Sequence, residues 1–428
     1  MERFAIRGNI CYSENQTAIR TVERGYVVCE DGKSAGIYET LPETWKQIRC
    51  YDYGNHLILP GLVDLHVHAP QYSFRGLGMD LELIEWLNVH TFPEEEKYRE
   101  SDYAEQAYQI FTEDLLHSAT TRACVFATCH KDATLWLMRA METAGLAGYV
   151  GKVNMDRNSP DGLCEKSASA SLQETEAWIQ ACSEFTNVRP ILTPRFVPTC
   201  SDELMKGLAE LQQKYSLPVQ SHLSENLDEI AWVRELQPEA SCYGDAYRIH
   251  GLFGGACPTI MAHCVYSCEE EIRMMKEQGV FIAHCPESNA NLSSGIAPAK
   301  RYLELGMNLG LGTDVAAGSS LSMFRAMAMA IQCSKLRWRL VDQSRKPLTA
   351  EEAFYLATKG GGAFFGKVGS LEEGYDFDAV VVNDEKIRQA GSLSVRERLE
   401  RLIYLDQNAE IQAKYIKGKQ VIHERERR

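Results

Sequence analysis

Two histidines one residue apart, His66 and His68 in "PGLVDLHVHAP" (60–70), close a run of apolar residues. On a strand, alternate side chains share a face, so both imidazoles project to one side with Val67 on the other. Such a pair can grip one metal ion. A lone strand histidine is more often a hydrogen-bonded core or rim residue, and the chain carries 11 histidines, so the pair needs company. Candidates exist: Arg195, His222 with Glu225 three residues on, His263, His284, and Asp314 in "LGTDVAAG". Three histidines and a carboxylate suit a borderline divalent ion such as zinc, and iron or manganese accept the same donors. An ion of this kind lowers the pKa of a bound water toward about 7. A carboxylate beside it can then carry protons between that water and a leaving group.

These residues act together only if the fold gathers them. From residue 57 onward, strand-like apolar runs alternate with helix-like segments; the runs are 56–68, 120–129, 146–156, 188–196, 217–225, 259–266, 280–289 and 307–315. Between them lie patterns such as "SDELMKGLAELQQKYS" (201–216), which opens on a serine N-cap. Eight βα units in series point to an α/β fold of the (β/α)8 TIM barrel type, whose active site lies at the C-terminal ends of the strands. The pattern alone also allows an open doubly wound sheet. In the barrel, Arg195 ends strand four, His222 and Glu225 strand five, His263 strand six, His284 strand seven and Asp314 strand eight. A chance scatter would put such residues at both ends.

The flanks read differently. Short strands and turns in residues 1–56 and again in 366–428 predict a small β-sandwich domain built from both chain ends around a barrel of residues 57–365. The acidic "FPEEEKYRE" (92–100) reads as an exposed helix start and the closing "HERERR" as a solvated tail.

Composition narrows the class. With 428 residues, 45% of them hydrophobic, the chain can bury a large core. No run approaches the roughly 18 apolar residues of a membrane helix and "MERFAIRGNI" offers no signal-peptide core, so the expectation is a cytoplasmic protein with no membrane partner. Fourteen scattered cysteines without Cys-x-x-Cys argue against a disulfide scaffold or a zinc ribbon. A net charge of −14 repels phosphate backbones, which excludes nucleic acid as the expected partner. Neither His-x-Glu nor Pro-Cys-x-x-Cys occurs, so the cytidine-deaminase type of zinc site is absent.

The segments "PGLVDLHVHAPQYSFRGLGMDLELIEWLNVHTFP", "TPRF", "QSHLSEN", "MAHCVYS", "AHCPESN" and "LGTDV" together closely resemble the guanine deaminases of the amidohydrolase superfamily. The resemblance runs from about residue 57 to 365, and "GSLEEGYDFDAVVV" is similar to the start of the superfamily's C-terminal β segment. It implies zinc-dependent hydrolytic deamination of guanine, by hydroxide attack at C2, within purine catabolism. It implies that His66, His68, His222 and Asp314 hold one zinc, that Glu225 shuttles protons, and that His263 hydrogen-bonds the attacking hydroxide. Gln71, Arg195 and Phe196 match residues that hold the purine, with Trp86 lining the pocket. A homodimer is also implied.

Two positions depart from that pattern: Glu287 replaces an amide of animal relatives, and Ala317 replaces a glycine. Lys152 falls on the third strand rather than the fourth, where binuclear relatives carry a carboxylated lysine, so one metal is expected. His284 is expected to be structural, and His90, His117 and His130 have no supporting context. Arginine carries only donors, so Arg195 is expected to face the 6-oxo group of guanine, whereas adenine would meet it donor to donor. Gln71 can both donate and accept. The alternatives are a deaminase of an oxidised guanine, a pterin or a triazine, which the same scaffold supports, or a catalytically silent relative, which would have lost a ligand or the shuttle.

Overall fold

The computed structural model of the protein describes residues 3–422; the tail "HERERR" lies outside the described residues. Four strands open the barrel, β5 (Leu62–His68), β6 (Thr120–Phe126), β7 (Ala147–Gly151) and β9 (Val188–Pro190), paired in that order and parallel. The short β8 (Val153–Asn154) and β10 (Thr193–Pro194) prolong the third and fourth of them. The other half is β11 (Val219–Leu223), β12 (Thr259–His263), β13 (Phe281–His284) and β14 (Asn308–Leu311), again parallel. A bridge between Leu192 and Val219 joins the halves on one side. On the other, Asp314 N donates to His66 O at 2.8 Å and His68 N to Val315 O at 3.1 Å, which closes the ring. Every residue of β5 is buried, as expected of a parallel strand covered on both faces. Helices alternate with the strands outside; the one over Asp202–Tyr215 starts where Ser201 Oγ accepts the Leu204 N–H and stops at Ser216 in a left-handed conformation.

The chain ends form the second unit. β1 (Arg3–Asn15), β2 (Ala18–Glu30), β3 (Lys33–Tyr38) and β4 (Arg49–Pro60) join β15 (Ala379–Asn383), β16 (Glu410–Ile416) and β17 (Lys419–Ile422) in one bulged seven-stranded sheet of order β17-β16-β15-β4-β1-β2-β3. It encloses its own apolar cluster, with Phe4, Ile6, Ile58, Phe377 and Tyr415 at its centre. Arg122 on β6 ties it to the barrel, with Nε 2.7 Å from Asp378 and Nη2 2.9 Å from Asp376.

Two expectations are corrected. The strand read over 56–68 is divided: Leu57–Pro60 pair with β15 in the flanking sheet, and the barrel begins only at Leu62. Gly61 makes the passage, because a Cβ there would lie 2.0 Å from Thr121 Oγ1. A helix does start in the acidic stretch, at Phe92, but it is not exposed throughout: Glu94 and Glu95 are 7% and 1% exposed, Glu94 held by the nearby Lys97 and Tyr103 and Glu95 by the distant Gln71 and Arg195. No helix among the described residues is long and apolar enough to cross a membrane.

Candidate active site

The C-terminal mouth of the barrel gathers four electron-pair donors. His66 Nε2 lies 3.1 Å from His68 Nε2, His222 Nε2 is 3.2 Å from His68 Nε2, and Asp314 Oδ1 is 3.1 Å from His66 Nε2 and 3.4 Å from His68 Nε2. Four ligands held tetrahedrally around one zinc at 2.0–2.1 Å stand about 3.3 Å from one another, so these spacings fit a single ion. The chemistry fits as well. His222 Nδ1 donates to the Arg195 carbonyl at 2.6 Å, and since a carbonyl only accepts, the proton sits on Nδ1 and Nε2 faces inward bare. Burial, reinforced by the neighbouring imidazoles, holds His68 and His222 well below the usual histidine range and therefore neutral. Burial would raise the Asp314 carboxyl, but the imidazoles of His66, His263 and His68 outweigh it and keep Asp314 ionised. Asp314 (φ 50°) and His263 (φ 74°) both turn through the left-handed region, a strained backbone that aims strand-end side chains into the mouth.

Glu225 stands beside this cluster. Its Oε2 is 3.4 Å from His263 Nε2, while Oε1 accepts from Ser294 Oγ at 3.1 Å. Burial raises its carboxyl to about 8, with the Asp314 charge adding and the Ser294 hydroxyl opposing. A carboxyl balanced near neutrality passes a proton in either direction. The backbone carrying it is held from behind: Glu229 Oε2 accepts from the N–H of Glu225 at 3.0 Å and also from the N–H of Asn226 at 3.4 Å, the latter in the capping box that starts the helix Leu227–Leu236. His263 Nε2 also approaches Asp314 Oδ2 at 3.8 Å, and its Nδ1 meets Asn289 Oδ1 at 2.9 Å.

A cavity opens beside these groups, and His68, His222, Glu225, His263 and Asp314 form part of its lining. Gln71, Trp86, Arg195 and Phe196 all line it, together with Leu83, Leu87 and Ala317. Trp86 is pinned by Nε1–H donated to Leu77 O at 3.3 Å, and Phe196 meets Trp232 edge-on at 6.2 Å. The lining thus joins apolar and aromatic side chains to the polar Gln71, Arg195, Glu225 and His263.

Other sequence candidates lie outside. His284 is buried, held down to about 4 by burial and the nearby His263, and its carbonyl accepts from Gly312 N. Lys152 is fully buried and committed to Glu165 at 2.6 Å. Glu287 is taken by Arg325 and Ser319. His117 Nδ1 donates to Glu113 O, and His90 stacks on Phe74 at 6.2 Å. His130, next to Cys129, lines a separate surface cavity with Lys131 and Asp132.

Sequence reasoning passed over Asp64, Glu95, Glu229 and Asn289. Asp64 had a readable signal, since it shares the face of His66 and His68 at the same two-residue spacing. Glu95 had none, because an acidic run reads as solvent-facing.

A family model described as "Amidohydrolase family" matches residues 57–421. The guanine deaminase of Mus musculus is 38% identical over 402 residues, 90% of this chain and 87% of that one. The guanine deaminase of Escherichia coli (strain K12) is 34% identical over 427 residues, 96% of this chain and 94% of its own. The crystal structure of guanine deaminase from C. acetobutylicum, with guanine bound in the active site, superposes with a TM-score of 0.95 at 47% identity, covering 98% of this chain and all of that one. The barrel, the clustered histidines and aspartate at its mouth, and these likenesses agree: the chain is an enzyme of the amidohydrolase family.

Proposed function

We propose that the protein is a zinc-dependent guanine deaminase, converting guanine and water to xanthine and ammonia. The observation that carries this reading is that one cavity is lined by the donor-bearing Arg195 and Gln71, by the aromatic Trp86 and Phe196, and by His68, His222 and Asp314 of the donor cluster. Its likeness to a relative holding guanine in the same fold supports the choice of base. His66, His68, His222 and Asp314 would hold the ion. Bound there, a divalent metal polarises water so that hydroxide is available near neutral pH.

The chain's own residues do the rest. Arg195 presents N–H groups to the 6-oxo oxygen and Gln71 reads the ring nitrogens, while Phe196 and Trp86 hold the ring plane and exclude water. This orientation brings C2 to the mouth of the cluster. Glu225 accepts a proton as oxygen adds to C2 and returns it to the exocyclic nitrogen, which leaves as ammonia when the C2–N bond breaks. His263, beside Glu225, holds the attacking oxygen by a hydrogen bond. One metal per chain, a homodimer, a cytoplasmic location and a place in purine catabolism complete the proposal.

The test is a panel of aminopurines, pterins and triazines assayed with ammonia detection on zinc-loaded protein, alongside elemental analysis. Guanine is expected to be turned over to xanthine with one metal per chain, adenine and cytosine negligibly. A larger kcat/KM on adenine, a pterin or a triazine overturns the substrate, and two metals per chain, both needed for activity, overturn the mononuclear site.

A further inference from the structure

Glu95 takes no part in the chemistry above, yet it is 1% exposed and touches both polar groups assigned to the purine. Its Oε2 accepts from Arg195 Nη1 at 2.5 Å; its Oε1 accepts from Arg195 Nη2 at 3.1 Å and from Gln71 Nε2 at 2.9 Å. Phe92, three residues earlier on the same segment, lies against the guanidinium with the ring centroid 5.1 Å away. Three stretches of chain far apart in sequence thus meet at one carboxylate.

The consequences follow from donor and acceptor chemistry. An ionised carboxylate only accepts, so the amide nitrogen of Gln71 must face Glu95, and its oxygen then meets the Ala316 N–H at 3.3 Å. A glutamine amide otherwise turns over between two orientations that exchange donor for acceptor. The guanidinium is gripped at two points in its own plane, which fixes where its remaining N–H groups aim. The charges of Arg195 and Glu95 also cancel, so the pocket offers donors without net charge.

We propose that Glu95 is a positioning residue that determines specificity: its carboxylate sets which hydrogen-bonding groups Arg195 and Gln71 turn toward the ring, and its charge makes the pocket select a neutral oxo-heterocycle. The inference rests on the reading that the cavity takes guanine. Without the carboxylate, Gln71 is free to turn its oxygen toward the ring, Arg195 is free to swing, and a ring bearing an amino group in place of the oxo group is no longer rejected as strongly. A purely structural Glu95, holding the segment Phe92–Glu96 in place, would change the amount of folded or metal-loaded protein and leave substrate preference untouched.

The experiment compares wild type, Glu95→Gln, Glu95→Asp, Arg195→Met and the Glu95→Gln/Arg195→Met double variant on guanine and on 2,6-diaminopurine, which keeps the 2-amino leaving group and carries an amino group in place of the 6-oxo group, with metal content and Tm measured on each. Glu95→Gln is expected to raise KM for guanine by about 10- to 100-fold, the loss typical of a hydrogen bond to a charged group, with a smaller fall in kcat and metal content unchanged. Its guanine-to-2,6-diaminopurine ratio of kcat/KM should fall. Glu95→Asp should recover part of both, and the double variant should lose less than the sum of the two single losses, because Glu95 acts in part through Arg195 and in part through Gln71. Wild-type KM and ratio in Glu95→Gln, loss only in step with folded or metal-loaded protein, or fully additive losses in the double variant overturn the inference. Should Glu95→Gln not fold, an unchanged KM and ratio in Glu95→Asp overturns it equally. Failure of the substrate reading appears separately, as a wild-type protein that does not deaminate guanine.

Discussion

Asp64 and Thr313, 249 residues apart, are joined twice: Thr313 N donates to Asp64 Oδ1 at 3.0 Å and Thr313 Oγ1 to Asp64 Oδ2 at 2.5 Å. The same Oδ1 accepts from His66 N at 3.1 Å. One buried carboxylate therefore clamps the first barrel strand to the last, next to His66 on one side and Asp314 on the other. Groups that orient metal ligands typically contribute about 10- to 100-fold in metal affinity. Asp64→Asn is expected to lose that much, measured by competition with a chelator; unchanged affinity would show that the clamp serves only barrel closure.

Glu225→Gln keeps the shape of the side chain and removes its basicity. A general acid–base group contributes about 10² to 10⁴ in rate, so kcat on guanine should fall by that range while the metal stays bound. Near-normal kcat removes Glu225 from proton transfer. Loss of the metal would instead make it a ligand.

Arg195→Met deletes the donors expected to face the 6-oxo group and leaves Glu95 buried without its cation. The kcat/KM for guanine should drop by at least about 100-fold, with metal content intact. Discrimination against 2,6-diaminopurine, which differs from guanine at the 6-oxo position and for which a site built around one hydrogen bond can reach roughly 10⁴ to 10⁵, should shrink with it. Equal turnover and equal discrimination in the variant would place the base elsewhere.

Lys414 on β16 offers a pH test far from the site. Its Nζ is fully buried and donates to Leu115 O at 3.1 Å and Thr120 O at 2.9 Å, two acceptors for the two hydrogens of a neutral amine. Burial lowers its pKa from 10.5 to about 7, against the pull of Asp378. Between those values the unfolded chain holds a proton that the folded chain does not. Stability contributed by this residue therefore rises with pH from about 7 to 10.5, by up to about 1.4 kcal/mol per pH unit, and is flat below 7. The difference in unfolding free energy between wild type and Lys414→Met should shift in favour of wild type by about 2 kcal/mol from pH 7.5 to 9.5. A difference that stays constant would mean the lysine is charged in the folded protein.

The alternation of apolar strands with helical segments was enough to read parallel strands covered by helices, which must be buried on both faces, but it allowed a barrel and an open sheet alike, and the bonds from the last strand end back to the first decide for the barrel. Strand-end position was enough to propose that His66, His68, His222, His263, Glu225 and Asp314 meet, since the C-terminal mouth is where a barrel displays side chains. What local pattern could not decide was burial of charge. Glu95 reads as part of a solvated acidic run, and its desolvation is compensated by Arg195, a hundred residues away, together with Gln71. Asp64 and Lys414 are alike in this, their partners being strands and carbonyls brought close by closure of the barrel and docking of the flanking sheet. Residues 57–60 continue in sequence into the barrel strand, and pairing with β15 from the far end of the chain assigns them to the other sheet. Short-range periodicity determines which residues can face one another along a single element; which charges find a partner depends on contacts across hundreds of residues, and those exist only once the chain has closed on itself.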